Sequence, residues 1–243
     1  MIFRKAILII HGFGGGTYDE EYLSNQLEFV NNFDVFTFTL PGHDTNVNKI
    51  KMEDWVKSAE EHLEMLINHG YKTIYIIGHS MGGVISAYIS TKYKEVKKIV
   101  LAAPAFHYLN VKNDKMNLIE TFKTSKEVIK EYTGEEVFSR FVRMPSNAVK
   151  EFIKLVKTYY GCVNEVNVPT LIIEGTKDII VPMSSANYVF DTIKSKQKYL
   201  LTVKGINHDI FRSKRKEEVT KYVIKFLKNK IPNKKISKKI MIW

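Results

Sequence analysis

Short runs of β-branched and aliphatic residues alternate along this chain with longer amphipathic runs, and few folds accommodate that rhythm. Ala6–Ile10, Asp34–Leu40, Thr73–Ile77, Lys97–Ala102, Thr170–Glu174 and Lys198–Val203 read as strands, and Tyr18–Val30, Met52–His69 and Met81–Tyr93 read as helices. Val219, Tyr222, Val223, Phe226 and Leu227 recur on one helical face, so a last helix is expected to pack on the sheet. Strands alternating with helices predict an α/β fold, with a mostly parallel sheet flanked by helices. The rhythm breaks once, between Pro104 and Val168, where Phe122, Ile129, Phe138, Phe141, Phe152, Ile153, Val156 and Tyr159 follow helical patterns without a convincing strand. A stretch of roughly 60 residues is too long for a simple connection and predicts an inserted helical cap. The expected organisation is therefore a core of residues 1–104 and 168–231, a cap over 105–167, and a basic C-terminal tail over 232–243.

Composition narrows the class. At 243 residues, 44% hydrophobic and 26% charged, the chain is long enough to bury a substantial core. No run approaches the roughly 18 apolar residues of a membrane span, and the N-terminal run ends at His11-Gly12 without a cleavage signature, so it reads as a strand rather than a signal peptide. A single cysteine, Cys162, excludes an intrachain disulfide framework, fits a cytoplasmic location and has no activating context. The net charge of +11 is uneven: six lysines and no acid lie between Lys228 and Trp243. That tail reads as a solvated terminus, or as a weak contact for an anionic membrane surface through Ile240-Met241-Ile242-Trp243. No basic stripe interleaved with aromatic residues runs through the rest of the chain, which argues against nucleic acid as a partner.

Two loops that follow predicted strands carry the chemistry. Gly78-His79-Ser80-Met81-Gly82 fits G-x-S-x-G between a strand and a helix, where a tight turn lifts the serine above the sheet and small neighbours avoid collisions. His11-Gly12-Phe13-Gly14-Gly15-Gly16 follows the first strand but lacks the Lys-Ser/Thr of a phosphate loop. The amides of Phe13 and Met81 are accordingly the expected oxyanion donors, the second at a helix start. Phe13, Gly14 and His107 are expected to touch substrate.

A serine hydroxyl needs a base, and the base needs an orienting acid. In the order Ser, Asp/Glu, His, the acid is Asp178 in Gly175-Thr176-Lys177-Asp178, with Glu174 as the fallback. His208 in Gly205-Ile206-Asn207-His208 is the only histidine after Asp178, and Asp209 reads as local loop support. His11 and His79 read as hydrogen-bonding supports, His43 as a loop anchor, and His62 and His69 as solvated helix residues. No spacing of His, Cys, Asp and Glu argues for a metal, and the chemistry calls for no cofactor.

With these residues assembled, the chain resembles the α/β-hydrolases, and more narrowly the small bacterial carboxylesterases and monoacylglycerol lipases. The likeness rests on the His11-Gly12-Phe13-Gly14 loop, Pro41-Gly42-His43, the Gly78–Gly83 turn, Ala102-Ala103-Pro104, Val168-Pro169-Thr170, Asp178, and Gly205 with His208. Asn207 departs from the pattern, because many relatives have glycine or serine directly before the histidine. The resemblance implies a Ser80-His208-Asp178 triad, an oxyanion amide from the first loop, and a helical insertion over an apolar acyl pocket. The expected activity is hydrolysis of small, uncharged carboxylic esters. Monoacylglycerol lipase or lysophospholipase, thioesterase and a non-catalytic ligand-binding protein are the alternatives.

Overall fold

The computed structural model describes residues 4–44, 49–107, 111–112, 115–116, 144–231 and 237–242. Seven parallel strands form one sheet in the spatial order β2-β1-β3-β4-β7-β8-β9. They are β1 (Lys5–Ile10), β2 (Phe33–Thr37), β3 (Ile74–His79), β4 (Val96–Ala102), β7 (Thr170–Gly175), β8 (Lys198–Val203) and β9 (Ser237–Ile242). Strands β1, β3 and β7 are buried along nearly their whole length, which is why they read as continuous apolar runs instead of alternating ones. The helices are α1 (Glu21–Glu28), α2 (Met52–Asn68), α3 (Met81–Lys92), α4 (Ala148–Tyr159), α5 (Met183–Thr192) and α6 (Lys216–Leu227). Helix α1 packs with α6, while α2, α3 and α4 pack with one another.

Register places the site. Ile10 pairs with Gly78, His79 with Ala102, and Gly175 with Val203, so the loops leaving β1, β3, β4, β7 and β8 emerge at one level. The chain moves from β1 to β2 in one direction and then crosses to β3 on the other side. The crevice at that reversal, beyond the carboxyl ends of β1 and β3, is where open parallel sheets bind ligands.

Several boundaries differ from the sequence expectation. Strand β2 stops at Thr37, because the Leu40 amide turns to donate to His11 Nε2 at 2.9 Å. The expected helix over 18–30 divides into a short 3-10 turn, Thr17–Asp19, and α1. Within 105–167, where the sequence offers no convincing strand, Val111–Lys112 (β5) and Lys115–Met116 (β6) form a two-residue antiparallel ladder, and α4 follows the helical pattern. Phe122, Ile129, Phe138 and Phe141 lie outside the described residues.

The largest correction concerns the terminus. Residues 237–242 do not form a solvated tail; they add β9 beside β8, with Ile242 only 8% exposed. The period is masked by Lys238 and Lys239, which stand on opposite sides of the strand, and an edge strand tolerates such charge. Burying an isoleucine contributes about 1.5–3 kcal/mol. A chain ending at Ile231 should therefore lose about 2 kcal/mol or more of unfolding free energy in urea, and it should self-associate through the uncovered β8 edge as read by light scattering.

Candidate active site

Between β3 and α3 the backbone of Ser80 adopts φ 53° and ψ −114°, a conformation that costs a non-glycine residue about 1–3 kcal/mol. Neighbouring backbone holds it there. The Ser80 amide donates to the Ala102 carbonyl at 2.8 Å, and the Ser80 carbonyl accepts from Gly83 at 3.0 Å and Ala105 at 3.2 Å. Close approach explains the glycines. A Cβ on Gly82 would strike the carbonyls of Ile10 and His11, and one on Gly78 would strike Ser86 Oγ and the Gly82 carbonyl. The Met81 amide is the first in α3, where no intrahelical acceptor exists.

The loop after β1 passes directly over this turn: a Cβ on Gly12 would lie 3.0 Å from Ser80 Cβ. His11 fixes the loop. Its Nε2 accepts from Leu40, so its proton sits on Nδ1, which donates to the Gly12 carbonyl at 2.7 Å. Burial lowers the His11 imidazole to about 3 and keeps it neutral. Gly14 takes φ 70° in the turn that follows, and Gly15 donates back to the Gly12 carbonyl. Phe13, between them, meets Phe152 of α4 in a stacked pair at 5.1 Å and the edge of Trp55 at 6.0 Å. His43 joins this cluster through His11 and Phe13, its Nδ1 on the Leu40 and Pro41 carbonyls.

The loops after β7 and β8 are tied together, with Lys177 donating to the Ile206 carbonyl and the Gly205 amide donating to Thr176 Oγ1, both at 2.9 Å. That pairing brings Asp178 to His208. His208 Nδ1 lies 2.7 Å from Asp178 Oδ2, while Asp178 Oδ1 accepts from the amides of Ile180 and Val181 at 2.9 Å each. Burial pushes the Asp178 carboxyl up, but the His208 charge and the hydrogen bonds outweigh it and hold the group below its ordinary range. Glu174, the fallback acid, stays in β7 and accepts from the Gly175 amide; burial raises it well above the ordinary carboxylate range. Among the described residues no hydrogen bond joins Ser80 Oγ to His208 Nε2.

A second buried carboxylate–imidazole pair links the serine turn to the His208 loop. His79 Nε2 lies 3.0 Å from the His208 carbonyl and must donate to it, while Nδ1 lies 3.0 Å from Glu20 Oε1. Burial alone would lower the His79 imidazolium, but the hydrogen bond and charge of Glu20 raise it to about 9. An imidazolium in this place donates at both nitrogens, and its ring lies 5.0 Å from that of His208.

The model of a hydrolase family described as "Serine aminopeptidase, S33" matches residues 3–215. The chain belongs to this S33 family. A carboxylesterase of Bacillus subtilis (strain 168) is 25% identical over 235 residues, covering 92% of each chain. A thermostable monoacylglycerol lipase of Bacillus sp. (strain H-257) is 22% identical, covering 83% of this chain and 82% of the relative. The crystal structure of a bromoperoxidase from Bacillus anthracis superposes with a TM-score of 0.75 at 20% identity, covering 93% of this chain and 92% of that one. That last likeness shows the α/β-hydrolase fold and no particular chemistry.

In this S33 chain the expected substrate contact His107 packs in a tyrosine cluster. Its Nε2 meets the Tyr160 hydroxyl at 2.9 Å, its Nδ1 faces Ser184 Oγ at 3.3 Å, and its ring stacks on Tyr160 and Tyr188. Glu20 and Trp55 escaped the sequence reading. Nothing in Tyr18-Asp19-Glu20-Glu21 separates a buried carboxylate from its solvated neighbours, because the pairing partner is 59 residues away.

His79 binds a proton in the folded state that it lacks unfolded between its ordinary value of 6.5 and about 9. Its contribution to stability is thus complete below pH 6.5 and is lost as pH rises through about 9. Chemical denaturation at intervals from pH 6 to 9.5 should show a decline of a few kcal/mol over that window. Glu20→Gln should flatten it, lower kcat by roughly tenfold and leave KM nearly unchanged.

Proposed function

We propose that this S33 member is a serine carboxylic ester hydrolase acting on uncharged, apolar acyl esters through Ser80, His208 and Asp178. The observation that carries the reading is the 2.7 Å hydrogen bond between His208 Nδ1 and Asp178 Oδ2, made on the loop that His79 tethers beside the strained Ser80 turn. With Nδ1–H donated to Asp178, the Nε2 lone pair is available to accept the Ser80 proton. Ser80 Oγ then attacks the ester carbonyl, and the amides of Met81 and Phe13 receive the oxyanion. His208 returns the proton to the departing alcohol. Water enters, gives its proton to the same nitrogen, and releases the acid with Ser80 restored. No metal or redox group enters any step.

The aromatic wall of Phe13, Phe152 and Trp55 supports an apolar acyl group, and the stacking of Phe152 of α4 on Phe13 supports reading residues 105–167 as a cap. Monoacylglycerols are the favoured natural class within this reading, supported by the name of the Bacillus sp. relative. Thioesters, lysophospholipids and aminoacyl amides are the competing classes. A panel of p-nitrophenyl esters, acyl-thioesters, monoacylglycerols and aminoacyl-nitroanilides ranks them by kcat/KM. A non-catalytic protein would turn over none of them and would not react with a fluorophosphonate.

Ser80→Ala and His208→Gln should each lower kcat on p-nitrophenyl butyrate by roughly 10⁴-fold or more, and the double variant should lose no more than either single one. Unchanged hydrolysis by Ser80→Ala would refute the assignment. Phe152→Ala should raise KM for a hexanoate or octanoate ester by roughly tenfold while sparing the acetate ester, as measured by initial rates across the series.

A further inference from the structure

The net positive charge of this chain comes entirely from its last fifth. Residues 1–193 carry 21 Lys and Arg against 23 Asp and Glu, whereas residues 194–243 carry 16 against three. Among the described residues β9 lies beside β8, Phe226 of α6 packs on Tyr199 of β8, and Arg215 before α6 donates to the Ile242 carbonyl at the end of β9. Exposed Lys221, Lys225 and Lys228 follow one stripe of α6, opposite the buried Val219, Val223 and Phe226. Lys194 and Lys196 precede β8, and Lys238 lies on β9, all exposed. Lys238 pairs with Tyr199, which packs on Phe226, and so shares the α6 side of the sheet, whereas Lys239 faces α5 and donates to Asn187 Oδ1 at 3.2 Å.

We propose that the α6–β9 edge is a docking surface for an anionic lipid bilayer. The chemistry of the charges favours a membrane over a nucleic acid. Both arginines of this region already engage carboxylates, Arg212 with Asp19 at 3.4 Å and Arg215 with Glu218 at 2.8 Å. The exposed remainder is lysine, a hydrated point charge suited to a diffuse anionic surface, not a fork suited to individual phosphates or base edges. The edge is also continuous with the site: the Ile242 carbonyl at the end of β9 accepts from the amide of Lys204, which opens the loop carrying His208. Docking there brings the rim of the crevice, including exposed Lys177 and Ile179, toward the bilayer. This inference does not depend on the hydrolase reading, since binding is measured without turnover.

Each lysine close to an anionic leaflet raises partitioning roughly fivefold. The full-length protein should co-sediment with vesicles containing about 30 mol% phosphatidylglycerol but not with pure phosphatidylcholine, and binding should fall as salt approaches about 0.5 M. Combined Lys221→Glu, Lys225→Glu, Lys228→Glu and Lys238→Glu should reduce binding at least tenfold, with the thermal midpoint and p-nitrophenyl butyrate hydrolysis unchanged. The corresponding Lys→Arg set should retain binding, and a Lys→Gln set provides the same comparison should charge reversal impair folding. Equal pelleting with both lipids, undiminished binding by the glutamate and glutamine sets, or tight binding to duplex DNA with none to anionic vesicles would each overturn the proposal.

Discussion

Close contact between two backbone segments governs the rest of the site. The Ser80 turn lies so near the carbonyls of Ile10 and His11 that only glycine fits at 82, and the loop after β1 lies so near Ser80 Cβ that Gly12 has little freedom for a side chain. Three hydrogen bonds, one donated to the Ala102 carbonyl and two accepted from the Gly83 and Ala105 amides, hold Ser80 at positive φ. A strained residue persists only where its surroundings over-determine it, and here they are the neighbouring parallel strands β1 and β4. The sheet's register thereby becomes the geometry of a hydroxyl.

Around that turn the protein has arranged its charges by environment. His11 is kept neutral by burial and spends both nitrogens on loop backbone. His79, equally buried, is held charged because Glu20 lies against it. His208 faces Asp178 through Nδ1 at 2.7 Å, which orients its ring in the loop after β8. Three imidazoles within one loop cluster therefore carry three different tasks, separated by their partners rather than by their type.

The far edge of the sheet follows a different logic. Strand β9 covers the α6 side of β8 with Ile242, and its exposed lysines, Lys238 on that side and Lys239 on the other, discourage pairing with another sheet edge. Lys238 continues the charge stripe of α6 on the side that Ile242 also covers.

Much of this was legible in the chain alone. Buried parallel strands are uninterrupted apolar runs, so β1, β3, β4, β7 and β8 are visible within a residue or two, and the placing of Ser80, Asp178 and His208 after β3, β7 and β8 follows from local motifs. Residues 183–192 and 237–242 were not recognised, since a short helix after Pro182 and a lysine-bearing edge strand have no distinct period of their own. The Glu20–His79 pair, the Phe13–Phe152 stack and the removal of His107 into a tyrosine cluster were decided only by tertiary structure. Local sequence determines backbone conformation through sterics and hydrophobic period, but which carboxylate loses its water, and which imidazole stands beside it, depends on segments that meet only when the chain is folded.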